Sequence, residues 1–224
     1  METRPMNFIN KTHPTDPALQ AKVRAKITKT RLPKDVRGLL ESKEYQAVLA
    51  TKDRMDKIWI KFKMTGGFYR NQTHVLEIKL DASNGTFDYP FTAPLVKFLT
   101  PMYHVNISYN GSICLSILKG KDKENPEGWT EACNLGGVIS AIMLLMDVPG
   151  IESPWNKEAA ASWMASSEGK NEAKFMKEAD AWYFRGNYRT AIEEFDLRYA
   201  EDNEVNSITE SIKKVEISES VKSP

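Results

Sequence analysis

The period of the apolar residues changes twice along the chain, and those changes limit what it can fold into. Over residues 57–64, Ile58, Ile60, Phe62 and Met64 alternate with lysines and Trp59. Successive side chains of a strand point to opposite faces, so this pattern is a half-buried β-strand. Residues 45–51, 74–80 and 95–99 read as three more strands; in the middle one Val75, Glu77 and Lys79 oppose Leu76, Ile78 and Leu80. Turn residues at Gly66-Gly67 and Ser83-Asn84-Gly85 separate them, which makes an antiparallel meander. From Thr100 to Trp129 no period holds. An irregular stretch of this length in a compact domain is usually functional, and Cys114 lies inside it. Helical period returns at Thr130, where Leu135, Val138, Ile139, Ile142, Leu145 and Met146 form a broad stripe suited to a central, buried helix. Gly136-Gly137 costs that helix about 1 kcal/mol per glycine against alanine, which points to close packing or a ligand contact.

The flanks are helical. Thr15-Asp16-Pro17 is a helix start, with a capping side chain and a proline in the first turn. Pro33 either interrupts that helix or sits in the first turn of a new one capped by Thr30, and the second arrangement fits better. Leu32, Val36, Leu39 and Leu40 then share an apolar face, with Arg31, Lys34 and Arg37 away from it. Beyond the central helix comes a loop over Asp147 to Asn156, then helices at about 157–166, 170–185 and 188–199. The remainder is rich in Ser, Glu and Lys and reads as mobile, although Ile208, Ile212 and Val215 fit a weak amphipathic turn. Residues 1–40 hold nine Lys/Arg against three Asp/Glu, and residues 201–224 six Asp/Glu against three Lys/Arg. Such ends are either electrostatic docking surfaces or solvated ones. The net charge of +1 gives no global field for nucleic acid.

The two cysteines, Cys114 and Cys133, make no disulfide framework, and His13, His74 and His104 lack metal-ligand spacing. The chain has no apolar run of about 18 residues and hence no membrane span. No secretory signal is visible in the first residues. An intracellular protein of the cytoplasm or nucleus is expected.

Residues 89–118 carry a resemblance. Tyr89-Pro90-Phe91 through Pro94, the tripeptide His104-Val105-Asn106, and Asn110-Gly111 followed by Ile113-Cys114-Leu115 resemble the ubiquitin-conjugating enzyme family. The cysteine follows the asparagine by eight residues, as in that family. Trp129 and the loop prolines Pro149 and Pro154 continue the match, which covers roughly residues 28–187. The resemblance implies an α+β fold, a four-stranded antiparallel meander packed on a central helix with N-terminal and C-terminal helices. It divides the chain into a basic extension (1–27), a catalytic domain (28–187), and a C-terminal helix with a mobile acidic tail (188–224).

The same resemblance implies an acyltransferase. Cys114 would take ubiquitin or a ubiquitin-like modifier as a thioester from an activating enzyme and pass it to a substrate lysine, usually with a ligase. A thiolate suits this exchange because it is both a good nucleophile and a good leaving group. Asn106 would stabilise the oxyanion and organise its loop, and His104 would brace that loop. Ser153, with Glu152 beside it, would orient the incoming lysine; the alternative for Ser153 is a helix cap. Arg31, Lys34 and Phe91 fall where the family meets activating enzymes and ligases. No cofactor is implied, since ATP is consumed by the activating enzyme. The sequence departs from the family at Val105, which replaces a proline, at Thr130-Glu131, and in a charged insert over Lys119 to Gly128, read as a lid facing substrate or modifier. Two other readings remain: a Cys–His hydrolase, which requires His104 within reach of Cys114, and a catalytically inactive ubiquitin-binding module of the same fold.

Overall fold

The computed structural model of the chain describes residues 16–52, 54–80, 88–167 and 172–220. Helix α1 (Pro17–Leu40) precedes strands β1 (Gln46–Thr51), β2 (Arg54–Lys63), β3 (Thr73–Lys79) and β4 (Leu95–Phe98). Helices α2 (Leu135–Asp147), α3 (Lys157–Ser167), α4 (Glu172–Arg185) and α5 (Tyr188–Ser220) follow. The strands pair antiparallel in chain order, which is the expected α+β meander. The Ser83-Asn84-Gly85 turn lies outside the described residues. Among those described, no helix is long and apolar enough to cross a membrane.

The period-two pattern explains the sheet. Ile58 pairs with Ile78 and Ile60 with Leu76, and all four are fully buried. Phe62, Met64, Leu80 and Phe98 extend this inner face, which packs in one core with the α2 stripe. Leu135, Val138, Ile139, Ile142, Leu145 and Met146 are all buried. The helix begins at Leu135 rather than Thr130, because Asn134 caps it by accepting the Gly137 N–H at 2.8 Å. Residues before the cap form a turn closed by Cys133 N–H on the Thr130 carbonyl. Close packing at Gly136-Gly137 is not found. A Cβ on either would meet only the Asn134 Oδ1, at 3.4 and 3.6 Å; the pair lies in the first turn, where the cap takes the Gly137 amide.

The first helix corrects the expected break. Asp16 caps it through the Ala18 N–H, with Pro17 in the first turn, and it runs unbroken through Pro33. Pro33 is exposed, so the carbonyl left without an intrahelical donor can be hydrated. Thr30 does not cap a new helix, since its hydroxyl donates back to the Lys26 carbonyl. Val36 and Leu39 are buried and Leu32 packs beside them, whereas Leu40, at the helix end, is 41% exposed.

The outer face of the sheet is covered too, which periodicity did not announce. Helix α5 lays Phe195, wholly buried, against Val48 and Val75, with Ala191, Ile192 and Tyr199 beside it. Asp196 pairs with Lys61, and Arg198 donates to the Leu49 carbonyl at 3.0 Å. The helix then continues to Ser220, well past the expected end near Tyr199.

Candidate active site

Cys114 sits after a tight turn built by neighbouring polar residues. Asn110 Oδ1 accepts the Ser112 N–H, and Gly111 adopts φ +84° with its carbonyl accepting the Phe98 N–H at 2.9 Å. A Cβ at Gly111 would lie 2.0 Å from the Phe98 carbonyl oxygen, so only glycine fits. The turn leaves Cys114 half-buried, with its N–H donating to the Asn106 carbonyl at 2.8 Å. The thiol is therefore no core anchor.

Asn106 is held from several sides. Its backbone N–H donates to His104 Nδ1 at 2.9 Å. Its side-chain amide pairs twice with one glycine: Nδ2 donates to the Gly150 carbonyl at 2.7 Å, and Oδ1 accepts the Gly150 N–H at 2.8 Å. The amide nitrogen carries two protons, and among the described residues only one of them has a partner, the Gly150 carbonyl. Tripeptide and proline-rich loop are thus one hydrogen-bonded unit. Val105 strengthens it, since its side chain is wholly buried and its carbonyl accepts the N–H groups of Trp155 and Asn156, both at 3.0 Å. The loop that proline would have stiffened is fixed by these contacts, so Val105 gives no reason to read the site as inert.

His104 spends both ring nitrogens inside the domain. Nδ1 accepts from Asn106 and Nε2 donates to the Leu145 carbonyl at 2.9 Å. That pattern requires the neutral Nε2–H tautomer. Burial holds its pKa down at about 4, although the Leu145 carbonyl favours the charged ring. A neutral imidazole with no free nitrogen cannot serve Cys114 as a base, so the Cys–His hydrolase reading fails.

Glu152 and Ser153 lie exposed in the loop that Gly150 anchors. The cap reading for Ser153 is overturned: Asn156 caps α3, accepting the Ala159 N–H at 3.0 Å. Phe91 is half-buried, and its ring lies under the Arg24 guanidinium at 3.9 Å. Arg24 is in turn paired with Asp88 at 2.5 Å. Arg31 is committed as well, donating to the carbonyls of Glu131 (2.9 Å) and Cys133 (2.8 Å) and to Asp35 (3.0 Å). Tyr89 donates to the same Asp35 carboxylate. Arg31 therefore ties α1 to the segment before α2, contrary to its expected place off the packed face, while Lys34 and Arg37 are exposed.

The insert is an ordered loop. Asn125 Nδ2 reaches the carbonyls of Ser116 and Gly120 at 3.1 Å. Asp122 Oδ1 accepts the N–H groups of Glu124 and Asn125. Trp129 closes the base, its N–H on the Lys119 carbonyl at 2.7 Å and its indole N–H on the Pro90 carbonyl at 2.7 Å. This closure brings Lys119 Nζ to 3.9 Å from Cys114 Sγ. Lys119 and Gly150 are site residues that pattern reading missed. Gly150 contributes only its peptide group. Lys119 follows the cysteine by five residues in an aperiodic stretch, where spacing alone does not show that a 3-10 turn at Ser116–Leu118 folds it back.

The sequence is similar to those of known proteins. The profile of the ubiquitin-conjugating enzyme family matches residues 31–183. A probable ubiquitin-conjugating enzyme E2 of Acanthamoeba polyphaga mimivirus is 42% identical over 93 residues, 42% of this chain and 52% of that protein. Ubiquitin-conjugating enzyme E2 T of Mus musculus is 41% identical over 95 residues, 42% of each chain. The Homo sapiens E2 T is 32% identical over 171 residues, covering 72% of this chain and 79% of its own. The chain thus spans about half the length of the first two and most of the third.

Proposed function

The chain belongs to the ubiquitin-conjugating enzyme family, and we propose that it accepts ubiquitin or a ubiquitin-like modifier on Cys114 and transfers it to a lysine of a protein substrate, usually with a ligase. The observation that carries this reading is the Asn106–Gly150 pairing. It joins the nucleophile's loop to the loop bearing Glu152 and Ser153, so thiol, amide donor and amine-side residues move as one.

In the first step the Cys114 thiolate attacks the thioester carbonyl on the activating enzyme, whose own thiolate leaves. In the second, a lysine amine attacks the new thioester and builds an oxyanion. The uncommitted Nδ2 proton of Asn106 stabilises that charge; a single such donor is worth about 3 kcal/mol in other acyl transfers. Collapse forms the amide bond and expels the Cys114 thiolate, while the ammonium proton passes to solvent or a nearby base. Ser153 cannot take that proton at neutral pH, so it positions the amine, and Glu152 adds favourable charge. Activating enzyme and ligase would dock by way of Lys34 and Phe91, with Arg31 shaping the surface from beneath. ATP is used by the activating enzyme and no cofactor is needed here. Both cysteines are free, which suits a reducing compartment of the cytoplasm or nucleus.

The test is incubation with activating enzyme, ATP and ubiquitin, followed by electrophoresis with and without reductant. A reductant-sensitive adduct is expected, converted by Cys114→Ser to a stable ester. If neither forms with ubiquitin or the common ubiquitin-like modifiers, the reading fails.

A further inference from the structure

Where α4 ends and α5 begins, two cavities open that the acyl-transfer site does not use. One, of about 420 Å³, lies between the turn preceding Cys114 and the end of α4. The other, of about 390 Å³, lies on the far side of Gly186, which lines both. Gly186 packs so tightly on Pro101 that a Cβ would lie 2.1 Å from its Cγ, so a larger residue would both clash and fill the floor.

The walls are aromatic. Tyr109, 65% exposed, lies against Trp182 with ring centroids 5.0 Å apart, and Phe184, 60% exposed, meets Tyr188 at 5.5 Å. Such exposed aromatics are costly to leave bare and are favoured at binding surfaces. Arg185 lines the first cavity and Arg189 the second. Both are exposed, and among the described residues neither lies in an ion pair. Arg189 meets its neighbour Tyr188 through the hydroxyl and the ring, and the Glu193 carboxylate one turn on acts on it electrostatically without forming an ion pair. Arg185, Gly186, Tyr188 and Arg189 lie beyond residue 183, where the family match ends, whereas Pro101, Tyr109 and Trp182 lie within it.

We propose that this double cleft binds an extended acidic peptide segment carrying aromatic or large apolar side chains, contributed by the acceptor protein. The rings would enter the two cavities and carboxylates would meet Arg185 and Arg189. Two cations fit a short acidic segment better than a nucleic-acid backbone, which needs a longer basic track. Tyr109 lies in the turn that leads into Cys114, five residues before it, so a segment held here would tether its protein on the side of the domain from which the chain enters the cysteine. The role as acceptor rests on the proposed transferase reading; the binding itself does not.

The test is fluorescence anisotropy with the full chain and a short fluorescein-labelled peptide alternating acidic and aromatic residues. Controls are the same peptide with lysines for its acids and a single-stranded oligothymidine. Binding of the acidic peptide alone is expected, weakened about fivefold by Arg185→Glu or Arg189→Glu and further by added salt. These variants should still form the Cys114 thioester, which separates failure here from failure of the transferase reading. Equal binding of the lysine peptide, preference for the oligothymidine, no acidic-peptide binding, or indifference to both arginine reversals would each overturn the proposal.

Discussion

Replacing Asn106 by alanine separates the two tasks given to its side chain. The substitution removes both hydrogen bonds to Gly150. At a net contribution near 1 kcal/mol each, the loss in stability is about 2 kcal/mol, moderated where water reaches the freed peptide group. If the second Nδ2 proton stabilises the oxyanion, aminolysis loses about 3 kcal/mol as well, roughly two orders of magnitude in rate. The assay is single-turnover discharge: the thioester is preformed, ATP removed, and free lysine or a substrate protein added well below the melting temperature. Loading from the activating enzyme is timed separately. Loading should fall by a few-fold at most while discharge falls about a hundredfold. Should both steps fall by the same factor, the amide acts only by holding the Gly150 loop and the oxyanion assignment is wrong. Asn106→Asp is the sharper control for stability. It sets a carboxylate oxygen against the Gly150 carbonyl now 2.7 Å from Nδ2, in a residue only 4% exposed, and should cost more stability than alanine.

Other expectations follow from the same geometry. Burial lowers the pKa of His104 to about 4 and that of His74 to about 3, against 6.5 unfolded, so the unfolded chain binds more protons between those values. Stability should therefore fall as pH drops from about 6.5 towards 4, by up to about 1.4 kcal/mol per pH unit for each histidine; urea unfolding that is flat over this range contradicts the burial argument. Phe195→Ala should cost about 3–5 kcal/mol and raise hydrogen exchange in α5 and β1, whereas unchanged exchange would mean that α5 does not depend on this contact. Gly111→Ala should destabilise the turn before Cys114 by about 3 kcal/mol and, on the proposed function, suppress thioester formation; normal loading would refute the packing against Phe98. Lys119 brings an amine to 3.9 Å from Cys114 Sγ, so loaded protein without acceptor should transfer the modifier to its own Lys119. Mass spectrometry should locate the new amide there, and an undiminished self-modification rate in Lys119→Arg would sink the idea.

What could be read from the chain alone was whatever repeats. Alternation in β2 and β3 and the 3.6-residue stripe of α2 announce buried faces, because burial acts on side chains at fixed angular intervals. The meander, the central helix and the core positions were legible for that reason. Cys114 and Asn106 stood out as candidates through a resemblance in residue types and spacing to a family motif, in an otherwise aperiodic stretch. Local rules failed where distant partners decide. Pro33 does not end α1, because its exposed side tolerates a missing hydrogen bond while Val36, Leu39 and Arg31 hold the helix to the domain. Arg31 looked like a free docking cation, yet carbonyls some hundred residues away in sequence claim it. Burial of Phe195 against the sheet, the folding back of Lys119 onto Cys114, and the pairing of Asn106 with a glycine forty-four residues on leave no periodic trace. They depend on which backbone groups meet after the loops close, and the fold makes that choice over the whole chain at once.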